Sequence, residues 1–310
     1  MWLRLSVCVC SLVAPFNTVF ANEAPRHSDE TINTLLDRLA PAPSEVIKEF
    51  EGAGMKGVRT HLLSSAERAR VAKALAALPV LHRRILAERL DSLSFVDGVS
   101  GAGTGLTAPS GKNGNYSITF RASLINESLT DFLTNKERRL FTSGECGPSI
   151  KVSAPGMDAL TFALLHESTH VVDDAIGITH NLDHPLIVNE WHTSHELKLP
   201  FANSMISATP FRGGATIPMG KAQSVYDALA LSPFVSLYAT ASASEDIAEL
   251  VAWYQMSRTY GAGFMIQIDD AQGKNIKRYE PLTFPLVRAR FRNVKELLSV
   301  STRSATNNRP

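Results

Sequence analysis

The chain has 310 residues, 44% of them hydrophobic and 20% charged, which is ample material for a buried core and a poor match to a largely disordered chain. With 31 Lys and Arg against 30 Asp and Glu, the net charge of +1 supplies no general attraction to nucleic acid, anionic membrane or acidic polymers. A folded, water-soluble protein with no nucleic-acid partner is expected.

The first segment, Met1 to Ala21 (MWLRLSVCVCSLVAPFNTVFA), has one positive charge at Arg4, an apolar run and small residues at Val19 and Ala21. It reads as a signal peptide of residues 1–21 cleaved after Ala21, because Pro15 and Asn17 interrupt the run short of the ~20 apolar residues a membrane span needs. The expectation is export to the periplasm or the extracellular space, with no stable membrane span after cleavage. Cys8 and Cys10 leave with that segment, so Cys146, flanked as GECG, is a lone thiol read as buried or inert.

From residue 29 to 90, TINTLLDRLA, SEVIKEF, SSAERARVAKALAAL and LHRRILAERL carry apolar residues at helical spacing, punctuated by Pro41, Pro43, Gly52, Gly54 and Pro79. LSFVDG (93–98) reads as a strand, and the Gly-rich GVSGAGTGLT after it as a flexible turn without the Lys-Ser/Thr of a phosphate loop. YSITFRASL (116–124) alternates like a strand and SLTDFLTNKERRLF reads as a helix. MDALTFALLHESTHVVDDA predicts a helix of about five turns ending near Gly177. A long connection with five prolines between 185 and 233 follows, then a helix over ASEDIAELVAWYQM, a hairpin of FMIQIDD and IKRYEPL, a closing helix over FPLVRARFRNVKELL, and a polar tail, 300–310, read as disordered.

The chemistry concentrates in His166-Glu167-Ser168-Thr169-His170, an H-E-x-x-H pattern. Four residues make slightly more than one helical turn, so both imidazoles project from one face and can share a Zn²⁺ ion, while Glu167 stands beside them to take a proton from water. A catalytic zinc needs a third protein ligand, and two carboxylates compete for the place. Glu245 opens a Glu-x-x-x-Glu run whose second acid, Glu249, shares its helical face and can hold a ligand histidine by its free N–H; Glu190 lies twenty residues after His170. Asp174, one turn past His170, is a further orienting candidate, whereas His180, His184, His192 and His195 read as a loop rim.

The pairing of HESTH with a downstream helical Glu resembles the gluzincin branch of the zincin metallopeptidases. SLYATASASEDIAEL (236–250) is similar to the matching stretch of lethal-factor-type and Pro-Pro-endopeptidase-type catalytic domains. The resemblance runs from Gly156 to Met256 with the interior loop unmatched. It implies Glu245 as metal ligand, Glu249 as its supporting acid and Tyr238, seven residues before Glu245, as donor to the oxyanion. Glu190 resembles instead the Asn-Glu of the thermolysin type, whose helix carries an acid four residues on where this chain has Ser194; the metzincin pattern fails at Asp173 and Ile176. The implied fold is α+β and zincin-like, helix-rich with a small mixed sheet above the HExxH helix, over one domain of residues 22–299 (helical part 29–90, catalytic part 91–299). Zincin substrates add as a strand to a sheet edge, and YSITFRASL is the candidate edge. The implied activity is that of an exported zinc metalloendopeptidase acting on a protein or peptide substrate. The alternatives are an exopeptidase, for which the Gly-x-Met-Glu-Asn element is absent, and a non-catalytic binding or structural protein on the same scaffold.

Overall fold

A computed structural model describes residues 24–99, 103–111, 114–142 and 147–307; the segment 1–21 and Cys146 lie outside the described residues. In chain order the elements are α1 (Ala24–Leu36), α2 (Ser44–Gly52), β1 (Lys56–Thr60), α3 (Ser65–Ala76), α4 (Val80–Arg89), β2 (Leu90–Val99), β3 (Gly105–Ser110) and β4 (Asn115–Arg121). There follow α5 (Leu129–Arg138), β5 (Phe141–Thr142), β6 (Ser149–Ser153), α6 (Ala159–Ile176), β7 (Ile217–Pro218), α7 (Ala222–Ala230), α8 (Ala243–Tyr260), β8 (Met265–Asp269), β9 (Asn275–Tyr279) and α9 (Pro285–Asn307). The architecture is mixed α and β, dominated by helices. No described helix is long and apolar enough to cross a membrane.

Side-chain caps set the helix starts, because the first N–H groups of a helix have no partner inside it. Ser64 and Glu67 form a reciprocal capping box on α3, and Ser128 accepts from the Asp131 N–H at the start of α5. Asp158 caps α6 by accepting from the Thr161 N–H at 2.7 Å. Gly177 ends that helix at φ 70°, a left-handed conformation that costs a residue with a Cβ more than it costs glycine.

The main sheet has the order β1-β2-β4-β3, with β2 and β4 parallel and the outer pairs antiparallel. A second, antiparallel sheet orders β6-β8-β9, and β5 pairs with β7 in a two-residue parallel ladder. One apolar core runs from Leu35 to Val294, so α1, α3 and α4 bury their faces in the same cluster as α6 and α8. A small satellite of Ala42, Val46, Phe50, Met55 and Val96 lies between α2 and the β1–β2 pair.

The structure departs from the sequence reading at five places. YSITFRASL is not the sheet edge: β4 is interior, paired on both sides, and its last residues turn into a 3₁₀ segment over Ala122–Asn126. The edges are β1 and β3; β3 takes in the end of the Gly-rich stretch read as a turn, its half-buried residues show no alternation, and the ladder with β4 holds it in register. KGVRT forms β1, too short and too polar to signal a strand on its own. The connection from 185 to 233 contains α7, and α9 continues to Asn307 through the residues read as a disordered tail, where neither Gly nor Pro interrupts it.

Two buried polar clusters tie the helices together. In one, Arg290 of α9 places both terminal nitrogens 2.8 Å from the two carboxylate oxygens of Asp246 on α8, and the Trp191 indole donates to the same carboxylate at 2.8 Å. In the other, the Tyr226 hydroxyl of α7 donates to Glu137 of α5. Burial pushes the Glu137 carboxyl up to about 7, against the lowering effects of Tyr226 and Lys136. A carboxyl whose folded pKa exceeds its usual 4.5 holds its proton more tightly in the folded state, so stability falls as pH rises from about 4.5 to about 7. Glu137→Gln keeps an acceptor for Tyr226 and removes that loss. Relative to wild type, the variant should gain about 1–3 kcal/mol between pH 4.5 and pH 8. Denaturant melts at both pH values measure this, and an equal difference at the two would contradict the assignment.

Candidate metal centre

α6 and α8 meet along two matched four-residue ladders. On α6 the face is Phe162, His166 and His170; on α8 it is Trp253, Glu249 and Glu245. The Phe162 and Trp253 rings stand 5.1 Å apart, His166 Nδ1 lies 3.6 Å from Glu249 Oε1, and His170 Nε2 lies 3.7 Å from Glu245 Oε2. As one helix advances the other retreats, so the two are antiparallel, and an aromatic rung gives way to two rungs of imidazole and carboxylate.

The ligand atoms converge on one point. His166 Nε2 is 2.9 Å from Glu245 Oε2 and 3.3 Å from His170 Nε2, and the three residues meet within metal-ligating distance of one another. Ligands about 2.0–2.1 Å from a tetrahedral metal stand about 3.3 Å apart, so separations of 2.9, 3.3 and 3.7 Å fit one ion of that size. Two facing imidazole nitrogens can share only one proton, and a cation between them and the carboxylate satisfies all three. Burial pushes the Glu245 carboxyl up, but its hydrogen bond to His166 and the charges of His166, His170 and Lys136 outweigh this and hold it at about 2. Burial lowers the His166 pKa, and the Glu245 hydrogen bond with the charges of Glu245, Glu249 and Glu167 raises it further than burial depresses it.

Around this point stand three groups with distinct chemistry. Glu167 turns toward the sheet, where Thr107 of β3 donates to its Oε2 at 2.7 Å. A Cβ at Gly105 would come within 2.9 Å of Glu167 Oε1 and of the Phe120 ring, so β3 approaches the Glu167 carboxylate closely only because residue 105 has no side chain. Glu249, fully buried, accepts from Ser236 at 2.9 Å and from Lys136 at 3.2 Å. Tyr238 opens a 3₁₀ turn just before α8, its ring 5.8 Å from that of His166 and edge-on to Phe211. Burial, then the carboxylates of Glu245, Glu167 and Glu249, push its hydroxyl well above the usual phenol range, so it remains a proton-bearing donor. Arg212 holds this turn by donating to the Thr240 carbonyl and, at 2.7 Å, to that of His195. A cleft of about 560 Å³ joins Glu167, His166, Tyr238 and Glu249 to the start of β3 and to α5.

Sequence reasoning missed two residues here. Lys136 bonds Glu249 and sits 3.5 Å over the Tyr238 ring, a cation on an aromatic face. Its signal was phase: it lies four residues after the buried Phe132, on the inward side of α5. His82 of α4 supports the other face of α6, with Nε2 3.0 Å from the Thr169 hydroxyl, which itself donates to the Leu165 carbonyl. His82 Nε2 is therefore the donor, and burial lowers its pKa to about 3, which keeps it neutral.

Other sequence candidates fall elsewhere. Glu190 is buried against α9, its Oε1 3.6 Å from Arg290 Nε, so the structure brings Glu245 and not Glu190 to the histidines. Asp174 does not reach His170; its carboxylate lies 3.8 Å from His180 Nε2 and beside the Tyr116 hydroxyl, because it sits on the sheet side of the last turn of α6. His180, His192 and His195 are exposed, and His184 caps its own loop by accepting from the Leu186 N–H.

Metal content by elemental mass spectrometry checks the arrangement. Glu245→Ala and His170→Ala should lose the bound metal, and Glu190→Gln should keep it; the reverse pattern for the two glutamates would overturn the ligand set. No protein-family model, curated protein or solved structure matches the chain.

Proposed function

We propose that the chain is a zinc metallopeptidase that cleaves internal peptide bonds of a protein or peptide substrate. The observation that carries this reading is the meeting of His166, His170 and Glu245 at one point with Glu167 beside them. The signal-like segment 1–21 supports export to the periplasm or beyond. The mixed sheet against the HExxH helix accords with a zincin-like catalytic domain over 22–299.

His166, His170 and Glu245 would hold Zn²⁺, which would supply Lewis acidity toward the scissile carbonyl and toward water near neutral pH. Glu167 takes the proton of the attacking water and delivers it to the leaving amine, its Oε2 oriented by Thr107. The Tyr238 hydroxyl donates to the oxyanion as it develops. Glu249 faces the Nδ1 of His166 and orients that ring, while Lys136 and Ser236 hold the carboxylate in turn. β3 has a neighbour on one side only, and its first residues border the cleft, so an extended substrate can pair along its free edge.

Glu167→Gln should retain the metal and lose hydrolysis of a peptide library by at least about a hundredfold, the scale of a general base. A metal-loaded Glu167→Gln protein as active as wild type would remove the mechanism, and a metal-loaded wild type that cleaves no peptide over a range of pH would favour a binding protein on this scaffold. Tyr238→Phe should lower kcat about a hundredfold with little change in KM, as expected for a donor that engages mainly in the transition state. An equal loss appearing wholly in KM would assign Tyr238 to substrate binding instead.

A further inference from the structure

A second cleft, of about 890 Å³, lies between the C-terminal end of α8, the start of β8 and the exposed side of α9. Its charge is one-sided: Arg258 of α8 and Arg288, Arg292 and Lys295 of α9 all line it. None of these four side chains makes a hydrogen bond or ion pair with a described residue. The acid that lines the cleft, Glu280, is already paired to Arg278 at 2.7 Å. In a chain whose net charge is +1, four unneutralised cations around one depression are a local excess, and like charges so arranged repel one another until an anion enters.

We propose that this cleft binds an acidic peptide segment. Residues 288, 292 and 295 follow one another at helical spacing along one side of α9, so their charges are spread over about 10 Å, farther than a single small anion reaches and comparable to a few residues of extended chain. Arginine's planar fork matches carboxylates in a bidentate fashion. The floor between the cations is apolar, formed by Tyr254, Phe291 and Leu282, all partly buried, and it accepts aliphatic side chains placed between acids. A nucleic acid fits less well, because base stacking needs free ring faces. Tyr254 and Phe291 pack edge-to-face at 5.4 Å, and Phe264 is stacked on Trp253 at 4.3 Å. The site is independent of peptide hydrolysis, since no residue of the metal centre borders it.

The test is binding of a labelled Glu/Leu peptide to the full chain carrying Glu167→Gln, followed by fluorescence anisotropy. Arg288→Glu/Arg292→Glu should weaken binding at least about tenfold, as should raising NaCl from about 50 mM to about 500 mM, while Lys48→Glu on exposed α2 should leave it unchanged. The paired substitutions leave the buried face of α9, with Val287, Arg290 and Val294, untouched, and an unchanged melting temperature verifies this. Arg258→Glu, on a different helix, provides an independent variant with the same expected loss. Equal affinity for a Lys/Leu peptide, or binding indifferent to all three arginines, would overturn the proposal. So would tripolyphosphate or a single-stranded oligonucleotide displacing the peptide at far lower concentration than unlabelled Glu/Leu peptide, which would assign the cleft to phosphate chains.

Discussion

Phe162 packs on Trp253 in the layer next to the metal centre, and Trp253 stacks in turn on Phe264, with ring centroids 4.3 Å apart and nearly parallel. This aromatic block fixes the spacing of α6 and α8 one helical turn before the first imidazole–carboxylate rung. Were the two helices free to slide by one turn, His166 would face a different residue and the three ligand atoms would no longer meet. Each burial in that layer contributes on the order of 1.5–3 kcal/mol, and the consequence is positional as much as energetic, because a packed interior does not deform continuously. The meeting of His166, His170 and Glu245 is thus specified by side chains outside that cluster.

The first turn of α8 shows how finely this positioning divides labour. Glu245 and Asp246 are adjacent, yet one faces the histidines and the other the guanidinium of Arg290. Asp246 is wholly buried, and the bidentate contact with Arg290 together with the Trp191 indole satisfies its oxygens. Removing one partner of such a pair leaves an uncompensated buried charge, a cost of about 3–5 kcal/mol. Arg290 thereby anchors α9 and residues 186–191 to the same turn that presents Glu245 to the histidines, and Glu190 belongs to this anchor.

Local patterns made much of this legible. The apolar phase with Gly177 beyond it locates α6, and the phase of ASEDIAELVAWYQM locates all of α8 but its last turn, which runs on to Tyr260; the His-x-x-x-His and Glu-x-x-x-Glu spacings imply one face on each. What stayed hidden depends on partners distant in the chain. β3 owes its strand to a ladder with β4, and nothing within Gly105–Ser110 announces it. β4 alternates like an edge strand, but its place between β2 and β3 is decided by how the segments before and after it return. By residue type alone Glu190 and Glu245 both qualify as candidate ligands, and only a family resemblance separates them until Arg290, a hundred residues beyond the first, claims Glu190.

Gly105 carries a consequence for how the Glu167 carboxylate is reached. Because the strand edge and the carboxylate of Glu167 approach without an intervening side chain, the wall of the cleft at that point is bare backbone. A bare backbone wall does not discriminate among side chains; it reads the main chain of whatever lies along it. Rings and charges line the cleft instead at α5 and the Tyr238 turn, so its two ends differ in character, main chain on one side and side chains on the other.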